Sequence, residues 1–186
     1  MHLKKRVALG AMAAIAASFA VAVPSASAAE TASCTFNGLA GNITPGVRSV
    51  LNPAGPTGGS GTYTFGGSAL SCSYANSDTG VVVPSTSASI NSRGAFSNLV
   101  CSTGTADGDP AAGGTTINFA DPRVPDVTSA SYHIQFVGGQ GHMTVASFND
   151  QAVTGGGYVK ITPAVGNCVT QDVTAFDVTG SFTVTR

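Results

Sequence analysis

Few side chains in this 186-residue chain could do chemistry: four Cys, three His and nine carboxylates. His133 and His142 flank a glycine-rich turn at Gly138, Gly139 and Gly141. An even-length loop around Gly139-Gln140 pairs Phe136 with Met143 and Ile134 with Val145, all on one face, and sends both histidines to the polar face. His133 then lies opposite Ala146, four residues or about 13–14 Å from His142 at strand rise. That separation excludes a shared metal or a catalytic pair, and both histidines read as surface residues. No Gly-x-Ser-x-Gly elbow occurs, and Ser85 to Ser92 reads as a polar strand or loop. Asp107, Asp109, Asp121 and Asp126 could gather round calcium at one end of a domain. Their neighbours are Gly and Pro, however, and no calcium-loop spacing is present, so turn chemistry is expected. No catalytic, cofactor or metal residues are assigned, and the chain is read as a non-enzyme.

Cys34, Cys72, Cys101 and Cys168 are an even set with no two closer than 29 positions. The paired Cys-x-x-Cys hooks of structural zinc are absent, so two disulfides are expected. Of three possible connectivities, Cys34–Cys72 with Cys101–Cys168 is preferred, because it joins neighbouring strands without crossing.

Residues 1–28 read as a secretory signal: Lys4-Lys5-Arg6, an apolar run from Val7 to Val23, then Pro24 and Ala26-Ser27-Ala28 before the cleavage point. Removing those 28 residues leaves 158, one domain over 29–186. Three of the eight basic residues leave and all nine acidic ones stay, so the mature charge is −4. The remaining cations are scattered at Arg48, Arg93, Arg123, Lys160 and Arg186, which excludes nucleic acid and an anionic membrane as partners. No stable membrane insertion is expected after cleavage, and the protein is expected outside the cell.

The elements that must position these residues are strands. One Glu, one Lys and four Leu remain in the mature chain, a poor helix composition, while Thr, Ser, Val and Gly abound. Period-2 alternation runs through Cys34–Leu39, Thr62–Phe65, Leu70–Tyr74, Val81–Val83, Ala88–Ile90, Phe96–Cys101, Thr115–Phe119 and Tyr158–Thr162. It is clearest in Phe176, Val178, Phe182 and Val184, with Gly180 on the same face where a close crossing would explain it. Asn52–Gly59, Asp107–Pro110 and Asp121–Pro125 read as connections, and Gly155-Gly156-Gly157 as a separator before Tyr158. The expected fold is all-β: a single β-sandwich of Ig-like or Greek-key type, with a closed β-barrel as the alternative.

Cys34, Phe36 and Gly38, then Gly61, Tyr63, Phe65, Gly67 and Cys72, then Phe96, Val100, Cys101 and Gly104 form a pattern that resembles small exported all-β proteins of actinobacterial type. That group has no assigned activity, and the likeness covers about half of the mature chain and carries no functional residue across. In class the chain is also similar to neocarzinostatin-type chromophore carriers, but its cysteines close long loops where that family closes short ones.

The expected function is therefore a secreted, non-catalytic module acting by surface contact with an extracellular partner or envelope. Tyr158, His133 and His142 are its candidate contact residues, Tyr158 being the aromatic expected to be exposed beside Lys160 and Thr162. The alternatives are a carrier of a small apolar ligand, and a secreted hydrolase or its inhibitor.

Overall fold

The computed structural model describes residues 30–52, 58–101, 103–108 and 114–186. The segment read as a secretory signal, the Pro53–Thr57 part of the first loop, and Asp109-Pro110 lie outside the described residues.

Nine strands and no helix make up the described chain: β1 (Glu30–Val47), β2 (Gly59–Asn76), β3 (Val81–Val100), β4 (Thr103–Gly108), β5 (Thr115–Phe119), β6 (Ala130–Val137), β7 (Gln140–Phe148), β8 (Gln151–Val165) and β9 (Val173–Thr185). All pairings are antiparallel. β1 pairs with both β2 and β9, and β2 also pairs with β3, so eight strands close on themselves in the cyclic order β1-β2-β3-β4-β6-β7-β8-β9. β5 is the additional strand: it lies along Ala88–Ser92 of β3, while β4 pairs with that strand further on.

The all-β expectation is met, and of the two architectures it is the closed barrel that forms, not the sandwich. Inside-outside alternation is common to both. The β1–β9 pairing decides between them, because it leaves the first and last strands without a free edge.

Inward positions hold Phe36, Leu39, Ile43, Phe96, Ile134, Phe136, Val159, Phe176, Val178 and Phe182, all buried in one apolar cluster. Outward positions of the same strands are mostly polar or small, with Ser and Thr dominant in β9 (Thr179, Ser181, Thr183, Thr185). A transmembrane barrel has the reverse arrangement, with an apolar band facing out.

Three strands are longer than the alternation suggests, because bulges flip its parity. In β1 the buried set passes from Cys34 and Phe36 to Leu39 and Ile43 across Gly38, whose φ is +70°. In β2 it passes from Tyr63 to Leu70 and Cys72 across the irregularity between Gly67 and Leu70. In β3 it passes from Phe96 to Leu99 across Asn98. The pieces at Val81, Ala88 and Phe96 are thus one strand, and Pro84 sits in it ahead of the Ala88–Ser92 segment that pairs with β5, where a missing N–H costs no ladder bond on that edge.

The glycine triplet is also a correction. Gly155, Gly156 and Gly157 do not separate elements but lie within β8, where an added Cβ would overlap backbone carbonyls of β7 or β9. Gly180 does what its position suggested: it faces inward, and the Phe36 ring and the Tyr158 carbonyl occupy the space of its missing side chain.

The β6–β7 hairpin turns on two residues, Gly138 and Gly139, with φ of +62° and +78°. Positive φ at both positions is the mirror-image turn that matches strand twist. It pairs Phe136 with Gly141, Ile134 with Met143 and Tyr132 with Val145. The expected even parity holds, but every partner is two residues from the one expected.

Both disulfides have the preferred connectivity. Cys34–Cys72 links directly opposed residues of β1 and β2, with Cα atoms 4.1 Å apart. Cys101–Cys168 joins the β3–β4 turn to the β8–β9 loop. These are opposite points of the strand cycle, so this bridge spans one mouth of the barrel.

Candidate functional site

His133 and His142 both face outward, as expected, but the two-residue shift brings them closer. His133 lies opposite Thr144, which makes His142 its diagonal neighbour at about 7–8 Å rather than 13–14 Å. They still serve different partners. His133 Nδ1 is 2.6 Å from Asp107 Oδ1, both side chains half-exposed, whereas His142 stands between Gln135 and Tyr158 in register.

Asp107, Asp121 and Asp126, the described members of the aspartate set, are not gathered. Asp121 forms an ion pair with Arg123 at 2.7 Å, and Asp126 accepts the Phe119 N–H. Hydrogen bonds from Arg123 hold the Asp121 carboxyl down at about 2. Asp172 accepts the Ser49 N–H and the Asn52 amide, bonds that depress its carboxyl as well. Asp121, Asp126 and Asp172 thus pin loops, but Asp107 corrects the turn expected of it: with Gly108 it lies within β4, opposite Ala95 and His133. Among the described residues no group of three or more His, Cys, Asp or Glu could hold a metal ion.

The barrel interior contains a feature that the sequence reading missed. Tyr63 and Tyr132 meet through their hydroxyls at 2.7 Å. Tyr132 meets Ser92 at 2.6 Å, and Ser92 meets Thr115 at 2.6 Å. Gly94 and Gly108 are register partners whose missing side chains leave room for the two tyrosine rings. Burial pushes the Tyr63 phenol far above its ordinary value, and the neighbouring Tyr132 adds to the rise. Burial raises Tyr132 too, although hydrogen bonds from Ser92, Tyr63 and Thr115 pull the other way. No buried side-chain nitrogen or oxygen among the described residues lacks a partner. Parity could have revealed the cluster, since Ser92 continues the inward series Ala88 and Ile90.

Along the barrel axis little space remains. The cavity along the barrel axis is about 60 Å³ and its walls are apolar. Small-molecule pockets are usually about 300–1,000 Å³.

On the outside, an open groove of about 390 Å³ crosses β9, β1 and β2. Its walls carry six hydroxyl side chains, from Ser33, Thr35, Ser71, Ser73, Ser181 and Thr183, together with Pro84. Strand register builds it: Ser181, Thr35 and Ser71 form one rank across the sheet, and Thr183, Ser33 and Ser73 the next. The ranks repeat about every 4.8 Å across strands and about 6.8 Å along them. Ser33 and Thr183 share a hydrogen bond of 2.8 Å, while Ser71, Ser73 and Ser181 have no side-chain partner among the described residues. No lining side chain is charged. Tyr158, 57% exposed as expected, stands opposite Ser181 and extends the first rank with an aromatic ring.

The class is thus a closed, disulfide-bonded eight-stranded barrel with a consolidated interior and a hydroxyl-lined outer groove. No family model, curated protein or solved structure matches the chain.

Proposed function

We propose that the protein is exported and acts without catalysis, by contact between its outer wall and an uncharged, hydroxyl-rich extracellular surface such as a neutral glycan. The groove over β9, β1 and β2 carries this conclusion, because its hydroxyls are already ranked at fixed spacing and three of them lack a partner side chain. Ranked hydroxyls on rigid strands lose little freedom on binding, which matters when each hydrogen bond contributes only about 1 kcal/mol. Tyr158 adds a flat apolar face beside them. Export is supported by the leader sequence and by the two disulfides, which persist in oxidising compartments. No helix among the described residues is long and apolar enough to cross a membrane. The small axial cavity favours surface contact over a carrier of a chromophore-sized ligand.

Co-sedimentation with insoluble neutral polysaccharides, and with envelope from the producing cells, tests this. The secreted chain is expected to pellet with at least one of them, and Ser73→Lys with Ser181→Lys to abolish retention while the fold persists by circular dichroism. Retention unchanged by those substitutions, or retention on none of these surfaces, would overturn it.

A further inference from the structure

A second site lies at the barrel end where β1 begins and β9 finishes. There the connection from Ala120 to Ser129 folds across the opening and roofs a cavity of about 130 Å³. Ala32, the Tyr74 ring, Phe119, Val124, Val127 and Val184 are among its walls. The roof is braced internally by the Asp121–Arg123 pair and tied to β5 and the turn after β7 by the Phe119 N–H to Asp126, the Asn149 amide to the Asp126 carbonyl, and the Thr128 N–H to Asn149. The cavity is therefore preformed. Its polar rim includes Glu30, Asn149 and Arg186. Asn149 is committed to the roof, and Tyr74, though it lines the space, donates its hydroxyl to Glu30 at 2.6 Å. Arg186 contacts Glu30 and Gln151, and its five-donor guanidinium is half-exposed, leaving N–H groups for a further acceptor.

An apolar cavity of about 150 Å³ takes up benzene; at about 130 Å³ this one is slightly smaller, so a single ring fills it and any polar head group sits at the rim. We infer that this end cavity binds a single-ring aromatic or similarly compact apolar molecule bearing one uncharged acceptor oxygen, the ring under Val124 and the oxygen on Arg186. The Glu30 carboxylate balances the Arg186 charge, which is why a neutral head group fits better than a carboxylate. The site is separate from the outer groove and stands or falls independently of it.

Benzyl alcohol and benzene are suitable probes, read by methyl chemical shifts in NMR and by tyrosine emission, which no tryptophan masks. Saturable shifts confined to Ala32, Val124, Val127 and Val184 are expected with both probes. Val124→Phe should abolish them, and Ala32→Leu fills the same space from the opposite wall should the first variant fail to fold. Arg186→Gln should weaken benzyl alcohol about tenfold and leave benzene unchanged. Absence of saturable shifts in the unaltered protein, or undiminished binding in the filled variants, would overturn the cavity as a site. Equal loss of both probes in Arg186→Gln, or no loss, would overturn the role given to the guanidinium.

Discussion

Hydroxyl groups occupy both sides of the barrel wall with opposite consequences. Inside, Tyr63, Tyr132, Ser92 and Thr115 are shut away from water and bond to one another. Outside, Ser71, Ser73 and Ser181 face solvent, with no side-chain partner among the described residues. The chemistry is the same, so burial makes the difference. A buried hydroxyl without a partner costs about 1–3 kcal/mol, whereas an exposed one is satisfied by water and free to exchange it for a ligand. The inner cluster thus serves the fold, and the outer ranks are available to a partner.

The strongest way to break this contrast compares two tyrosines. Tyr132→Ala empties a buried ring site and is expected to cost about 3–5 kcal/mol by urea denaturation, as large-to-small core changes do. Tyr158→Ala, with the ring outside, is expected to stay within about 0.5 kcal/mol while weakening retention on the glycan surface. Equal costs would remove the distinction. Serines give a smaller version of the same comparison. Ser92→Ala removes the hydroxyl that links Tyr132 to Thr115, leaving Tyr132 only its bond to Tyr63, and is expected to cost about 1–3 kcal/mol, against a few tenths at most for Ser181→Ala.

Alkaline titration sharpens the contrast further. Burial raises the phenols of Tyr63, Tyr132 and Tyr74, in Tyr74 with the hydrogen bond to Glu30 adding to it. An unfolded tyrosine ionises near its ordinary value of about 10, so the unfolded chain loses protons first. The stability these three groups contribute is complete below that pH and is lost as pH rises above it. Tyrosinate absorbance is expected to report the three together with unfolding. Gradual ionisation of Tyr63 and Tyr132 with the fold intact would count against a sealed cluster.

The smallest effect is expected at acid pH, in the loops. The Asp121 carboxyl, held at about 2, supports the β5–β6 connection above its unfolded value and loses that support as pH falls toward 2. Hydrogen exchange should show residues 120–129 opening at low pH before the barrel strands do.

The alternation of Phe176, Val178, Phe182 and Val184 and the poverty in helix formers made the all-β class legible, and the cysteine order favoured the pairing that forms. Strand lengths were less legible, because a single bulge residue such as Gly38 reverses parity, so one long strand reads as a short strand and a loop. The hairpin register slipped by two residues for a related reason: parity constrains a pairing only to even steps, and Gly138-Gly139 and Gly139-Gln140 are both plausible turn centres. The outer groove is not legible in the sequence because its ranks come from β9, β1 and β2, whose adjacency no local pattern encodes. The alternation around Tyr158 marks its ring as exposed, but not the hydroxyls that Ser181 and its neighbours place beside it.

Local physics in the chain determined which side chains of each strand turn away from water, and that the thiols pair rather than hold zinc. Only the tertiary structure decided that the sheet closes on itself. Closure depends on β1 meeting β9, a pairing between residues some 150 positions apart, such as Ser33 with Thr183. The free energy of that contact comes from abolishing two open edges at once, a property of the whole ring of strands rather than of any segment in it.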